Sequence, residues 1–180
     1  DSVGKARGVD DPGARMKAVL SGDDEAAQLA WDCIANTLIY AARHLPDIAH
    51  DLVQVDNAMR WGFGQEIGPF ESWDALGVAE TVERMQADGL SVPEWVTDML
   101  AKGRTSFYAQ NGDEKEFWHH ERESVVTVPR SARTLRLPST ISDPRLVEKN
   151  HSARLWDIGD GVACVEFRSK MNAVDDDIVA

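Results

Sequence analysis

The run from Asp24 to Leu45 limits what this chain can fold into more than any other stretch. Ala27, Ala30, Ile34, Leu38, Ala41 and Leu45 recur at three- and four-residue spacings, which on a helical period form one continuous apolar stripe. Asp23, Asp24 and Glu25 suit the positive N-terminal end of such a helix, and Pro46 is expected to close it. A helix with one apolar face needs other elements to cover that face. The neighbouring sequence supplies them.

Residues 1–13, with Gly4, Gly8, Pro12 and Gly13, read as an irregular lead-in, followed by a short helix over Ala14 to Leu20. A further helix fits Asp51 to Trp61, with Leu52, Val55 and Met59 facing inward. Phe70 to Leu76 and Val78 to Ala87 form shorter ones, stopped by Gly77 and Gly89, the second burying Val78, Val82 and Met85. Ser91-Val92-Pro93-Glu94 has the pattern of a capping box, with Ser91 capping the first turn of a last helix that Gly103 ends.

Beyond Gly103 the periodicity changes. Two aromatic runs, Ser106 to Ala109 and Lys115 to His119, flank Asn111-Gly112, a strong hairpin signal. Val125–Val128 and Thr134–Leu137 read as short strands broken by Pro129 and Pro138. Ala153–Ile158 and Val162–Phe167 form a second hairpin around Gly159-Asp160-Gly161. Asp175, Asp176 and Asp177 suit either a solvated acidic tail or the first turn of a helix. The fold class is therefore mainly α, a helical bundle followed by β-hairpins, α+β taken together.

Charge divides the chain at the same point. Residues 1–103 carry 8 Lys/Arg against 18 Asp/Glu, and residues 104–180 carry 11 against 13. The net charge of −12 argues against nucleic acid and anionic membrane surfaces as main partners, because both need a basic footprint. No apolar run approaches the roughly 20 residues that span a bilayer. With only Cys33 and Cys164 there is no disulfide framework, which fits a reducing, cytoplasmic setting.

Candidate chemistry is sparse. Trp61-Gly62-Phe63-Gly64-Gln65-Glu66-Ile67-Gly68 approaches the dinucleotide pattern G-x-G-x-x-G, but its third Gly comes one residue late and a helix stands where a strand is required. Its glycines are read as permitting tight helix-to-helix turns. His119, His120 and Glu121 resemble a metal-site fragment but are read as a polar hairpin end, since adjacent strand residues are expected to point to opposite faces and no other His or Cys has zinc-site spacing. Neither cysteine carries a nucleophile motif. Trp31, Trp61, Trp73, Trp95, Trp118 and Trp156 are expected as core anchors, with an aromatic patch toward another domain as the alternative.

The segment Val55-Asp56-Asn57-Ala58-Met59-Arg60-Trp61-Gly62-Phe63-Gly64-Gln65-Glu66-Ile67-Gly68-Pro69-Phe70-Glu71-Ser72-Trp73-Asp74-Ala75-Leu76-Gly77 resembles the C-terminal helical domain of 3-hydroxyacyl-CoA dehydrogenases. The family pattern there is an (I/V)-D-x-A-M helix, a Gly-containing turn and G-P-F-E-L-x-D-x-x-G, with Ser72 in place of the usual Leu. Ser106-Phe107-Tyr108 and its hairpin resemble the extension in long bacterial fusions with enoyl-CoA hydratase. Ser152 to Phe167, with Lys170-Met171-Asn172-Ala173, is similar to the opening hairpin and N-A element of the crotonase fold.

The resemblance implies a fragment of a fatty-acid β-oxidation enzyme, a view that a first residue Asp1 without Met suits. Residues 1–104 would be the helical domain, 105–150 a β-hairpin and connector, and 151–180 the truncated start of the crotonase-like domain. NAD and a coenzyme A thioester would serve the parent, with no cofactor expected in this chain. Its partners would be the Rossmann, first helical and crotonase-like domains of the same polypeptide.

No catalytic residue is assigned. The family's substrate-side Asn lies in G-F-x-x-N-R. The corresponding stretch here, Leu29 to Thr37, has Asn36 without the Gly-Phe or the Arg, as in a degenerate second copy of the domain. Asp56, Gly62, Gly64, Gly68, Pro69, Phe70, Asp74 and Gly77 are the motif positions, expected to be structural. Lys170, Asn172 and Ala173 are cofactor-side candidates for CoA by resemblance. The expected role is an interdomain scaffold. The alternatives are a binding or oligomerisation module using Trp31, Trp61 or Trp73, or an acyl-CoA binding domain, for which only residues 128–170 lean basic.

Overall fold

Aspartates set where the first helices begin. Asp1, Asp11, Asp24 and Asp51 each accept a backbone N–H three residues on, from Gly4, Ala14, Ala27 and Gln54. Each satisfies one of the donors that a helix start leaves unpaired. They open α1 (Ser2–Ala6), α2 (Pro12–Leu20), α3 (Glu25–Ile48) and α4 (Leu52–Phe63). The computed structural model describes all residues except 113, 130–134, 136, 138–142 and 180. They fall into two compact units, Asp1–Val128 and Pro129–Ala180.

In the first unit, α5 (Pro69–Leu76), α6 (Val78–Ala87) and α7 (Glu94–Ala101) complete the bundle. A sheet of β1 (Tyr108–Asn111), β2 (Glu114–His119) and β3 (Ser124–Thr127), antiparallel in that order, belongs to the same unit. Phe107, Phe117 and Trp118 share one core with Trp31, Leu38, Leu45, Phe70 and Trp73. The boundary drawn at residue 104 therefore falls inside the first unit, because the sheet buries its aromatic face with the helices.

Several local expectations are corrected. The lead-in is not irregular: α1 forms, and Asp24 tethers it by accepting the Ser2 backbone N–H at 2.7 Å and the Ser2 hydroxyl at 2.6 Å. The buried face of α3 is turned toward Trp31, Ala35, Leu38, Ala42 and Leu45, leaving Ala30 and Ile34 half-buried. The Ser91 capping box does not form. Pro93 is the N-cap of α7, no side chain caps it, and the Ser91 carbonyl instead accepts from Arg43.

Pro46 does not end α3, which continues to Ile48. A proline has no N–H for the carbonyl four residues back, here Ala42. The Trp95 indole N–H, reaching across from α7, donates to that carbonyl at 3.0 Å. A tertiary hydrogen bond thus replaces the missing helical one.

The second unit contains β4 (Leu146–Lys149), β5 (Ala153–Asp157) and β6 (Ala163–Phe167), antiparallel in that order. The β5–β6 hairpin follows the sequence reading, whereas β4 was not foreseen, and a register shift interrupts its pairing between Leu146 and Glu148. Buried Trp156 donates its indole N–H to Glu166 at 2.9 Å. Val165 and Phe167 on β6 stay exposed. Two of the four residues of the expected strand at Thr134–Leu137 lie outside the described residues. A short 3-10 turn, Lys170–Asn172, precedes α8 (Asp176–Val179), whose first turn Asp175 caps through the Ile178 N–H at 3.0 Å. The acidic triplet is a helix start.

The Pro46–Trp95 arrangement predicts non-additivity. Trp95→Phe should cost about 1–2 kcal/mol, since it leaves a carbonyl unpaired. In a Pro46→Ala background, where residue 46 regains its N–H, the same change should cost less. Equal costs in a urea-unfolding double-mutant cycle would contradict this account.

Candidate functional site

The best-defined polar cluster in the first unit is built around Asp56. Its carboxylate is buried on α4 and faces the start of α5. Asp56 Oδ1 accepts the Phe70 N–H at 2.8 Å, Oδ2 accepts the Glu71 N–H at 3.1 Å, and the Tyr108 hydroxyl donates to Oδ2 at 2.7 Å. Phe70 and Glu71 are among the first α5 residues, whose amides have no helical partner. Asp56 therefore caps another helix.

The other donors of that helix start are also accounted for. Pro69 at the first position has no N–H to satisfy. The Gly68 N–H reaches the Glu71 carboxylate at 3.1 Å, and the Ser72 N–H reaches the Gly68 carbonyl at 2.8 Å. Glu71 also receives Lys115 at 2.8 Å, and Arg60 lies 3.6 Å away. A Cβ on Gly68 would stand 2.4 Å from the Asp56 Cα, so only glycine allows the two backbones to approach this closely.

Asp74, near the other end of α5, docks the sheet. Its two oxygens accept the backbone N–H groups of Phe107 and Tyr108 at 2.6 and 2.7 Å. Phe107 is then set edge-on against Phe70, with ring centroids 5.1 Å apart. Gly77 joins α5 to α6 at φ +97°, and Gly64 ends α4 at φ +67°. Gly62 has a negative φ and open space around it.

Burial dominates the electrostatics of both aspartates. It pushes Asp56 up to about 7, against the pull of the Tyr108, Phe70 and Glu71 hydrogen bonds. It pushes Asp74 up to about 6, against the Phe107 and Tyr108 amides. Burial, with the Asp56 charge next in weight, holds the Tyr108 phenol far above its ordinary value. Burial also acts upward on Glu71, yet Lys115, the Gly68 amide and Arg60 together outweigh it and hold this carboxylate below its ordinary value. Every carboxylate oxygen of Asp56 and Asp74 accepts at least one hydrogen bond, so the cluster is equipped to hold elements together.

A cleft of about 470 Å³ lies beside the α5 start, lined by Pro69, Ser72 and Gly64–Ile67 on one side and Cys33, Ile34 and Thr37 on the other. An Arg15–Glu66 ion pair stands at it. A second cleft of about 640 Å³ between α1, α2 and α3 shares Arg15, Met16 and Ile34 with the first. Asn36 lines neither; its amide donates to the Asp32 carbonyl at 2.7 Å. In the second unit, Lys170 and Asn172 belong to the 3-10 turn. Met171 and Asn172 take positive φ there, and the Ala173 carbonyl accepts the Ser169 hydroxyl at 2.5 Å. His119 and His120 do not point to opposite faces. His120 lies past the end of β2, and the two rings stack 5.5 Å apart at 9°. Among the described residues no group of three His, Cys, Asp or Glu could hold a metal ion.

Asp56 and Asp74 are among the motif positions that the sequence marks, whereas Tyr108, Glu71 and Lys115 are not among its candidate site residues. Tyr108 and Glu71 reach Asp56, and Lys115 reaches Glu71, through the tertiary fold; the local signal is an aspartate on the apolar side of a helix, one residue after Val55.

The chain is similar to the probable 3-hydroxyacyl-CoA dehydrogenase of Bacillus subtilis (strain 168), 39% identical over 167 residues. That match covers 92% of this chain and 21% of the relative, so the chain spans about a fifth of the length of the curated relative it matches. No protein-family model matches the chain, and no solved structure matches it.

Two motif glycines should respond in opposite ways. Gly68→Ala must force α4 and α5 apart and should cost about 3 kcal/mol. Gly62→Ala, inside a helix with free space, should be neutral or stabilise by about 0.5–1 kcal/mol. Thermal or urea denaturation of the two variants tests the contrast.

The raised aspartates also set a pH dependence. A carboxyl group whose folded value exceeds its ordinary 3.8 contributes stability that is complete below 3.8 and lost as pH rises through the folded value, about 6 for Asp74 and about 7 for Asp56. Between pH 5.5 and 8 the wild type should lose about 2 kcal/mol relative to Asp56→Asn. Parallel urea-midpoint profiles for the two proteins would refute it.

Proposed function

We propose that this chain is part of a 3-hydroxyacyl-CoA dehydrogenase of fatty-acid β-oxidation and that it serves there as a scaffold between catalytic domains. The observation that carries the reading is the 39% identity over nearly the whole chain to a probable enzyme of that name. The geometry agrees with a scaffold. The motif residues Asp56, Gly68, Pro69, Phe70 and Asp74 are spent on joining α4, α5 and the first sheet.

In this reading the parent oxidises 3-hydroxyacyl-CoA with NAD and, through a fused enoyl-CoA hydratase domain, hydrates enoyl-CoA. Residues 151–180 are the beginning of that crotonase-like domain. Two features support it: β6 is an edge strand among the described residues, and Val165 and Phe167 leave an apolar face without cover. The residues present do not fit NAD. Gly62, Gly64 and Gly68 lie at the end of α4 and before α5, not between a strand and a helix, and Gly68 is filled by Asp56. No NAD step is assigned to this chain. Lys170, Asn172 and Ala173 remain the proposed CoA-side positions.

Trp61 and Phe63, at 78% and 77% exposure, favour a second reading as a binding or oligomerisation module. Trp31 and Trp73 drop out of it, because both are buried in the core of the first unit.

The isolated chain should show no NADH oxidation with acetoacetyl-CoA; measurable turnover would sink the scaffold reading. Sedimentation separates the alternatives. A tight dimer that Trp61→Ala and Phe63→Ala dissociate supports the oligomerisation module, and a monomer supports the scaffold.

A further inference from the structure

The turn after β2 is held in an unusual way. His120 is 8% exposed, and among the described residues neither of its ring nitrogens has a hydrogen-bond partner. A buried polar ring without partners is uncommon, because desolvation is not repaid. Its contacts are aromatic: Trp95 of α7 at 5.8 Å and the stacked His119 at 5.5 Å. Trp95 is the residue whose indole N–H replaces the bond that Pro46 cannot make. Three residues on, Glu123 sits at φ +47°, a left-handed conformation that a residue with a side chain adopts at a cost. The turn is otherwise tied by the exposed Lys102–Glu123 ion pair, a weak and salt-screened restraint, and by the Arg122 N–H on His119 Nδ1 at 3.4 Å.

The groups that act on the His120 ring are Glu121 beside it, Asp51 at the start of α4, and His119. Neither carboxylate bonds the ring in its present position. Asp51 already accepts from the Gln54 N–H. A neutral imidazole is tolerated against Trp95; an imidazolium there would be buried without an acceptor.

We propose that His120 is an acid-released latch: neutral, it seats the 120–123 turn on Trp95, and on taking a proton it swings to Glu121 or Asp51 and frees that turn. Release lets the strain at Glu123 relax and loosens the Trp95 indole from the end of α3. Burial pushes the proton affinity of His120 below its ordinary 6.5. The seated state is therefore complete above 6.5 and is lost as pH falls through the lower folded value. Asp56 and Asp74 act with the opposite sign, so acid weakening cannot come from them.

The test is a proton–nitrogen NMR titration of the 180-residue chain from pH 7.5 to 4.5, with hydrogen-exchange protection of the Trp95 indole N–H read at each step. His120 should titrate below 6.5, and the Trp95 protection factor should fall at least about tenfold across its midpoint, a change of roughly 1.4 kcal/mol. His120→Phe keeps a ring on Trp95 and removes the proton site, so its protection should stay flat. A His120 midpoint at or above 6.5, or an equal fall in His120→Phe, would overturn the latch. If that variant does not fold, the wild-type titration decides alone.

Discussion

One carboxylate, that of Asp56, meets three parts of the first unit at once. From α4 it accepts two amides at the start of α5 and the hydroxyl of Tyr108 at the start of β1. Removing it would strand buried donors, each worth about 1–3 kcal/mol, which exceeds what most single contacts contribute. Gly68 exists in this arrangement because Asp56 approaches its backbone, and Pro69 because that position has no amide to lose. Asp74 repeats the device one helix length later, taking the Phe107 and Tyr108 amides. Two aspartates thus fix both ends of α5, and the sheet takes its position from them.

Part of this is legible in the sequence. The presence of α3, the inward residues of α6 and the β1–β2 and β5–β6 hairpins follow from period and turn residues, whereas the face that α3 buries differs from its predicted stripe, and charge alone left the acidic C-terminal triplet open between a tail and a helix start. These signals are local. What escaped was tertiary. Asp24 binds Ser2 across 22 residues and so makes a helix of a stretch that looked like coil. Pro46 reads as a stop until Trp95, in another helix, supplies the missing donor. Ser91-Val92-Pro93-Glu94 has the letters of a capping box, but Pro93 starts the helix without a side-chain cap.

The same distinction explains the candidate site. The motif around Asp56 could be matched letter by letter to a family pattern, yet the pattern does not say what the letters do. Tyr108 lies 52 residues from Asp56, beyond any spacing rule. The aromatic residues divide in a similar way. Trp31 and Trp73 disappear into the core with hydrogen bonds to Asp88 and Thr81, while Trp61 and Phe63 remain outside on a helix end. Burial is a property of the assembled bundle, and equal letters meet unequal fates in it.

β6, an edge strand among the described residues, has a further consequence, for solubility. Edge strands are commonly guarded against pairing with other molecules by charges, proline or bulges. Ala163-Cys164-Val165-Glu166-Phe167 has neither proline nor lysine, and its one charge, Glu166, is engaged by Trp156 and Arg168. With Val165 and Phe167 exposed alongside it, the second unit offers other molecules a ready template for strand addition. The net charge of −12 then acts as the chain's main defence against self-association. High salt, which screens that charge, is the condition under which the strand becomes a hazard.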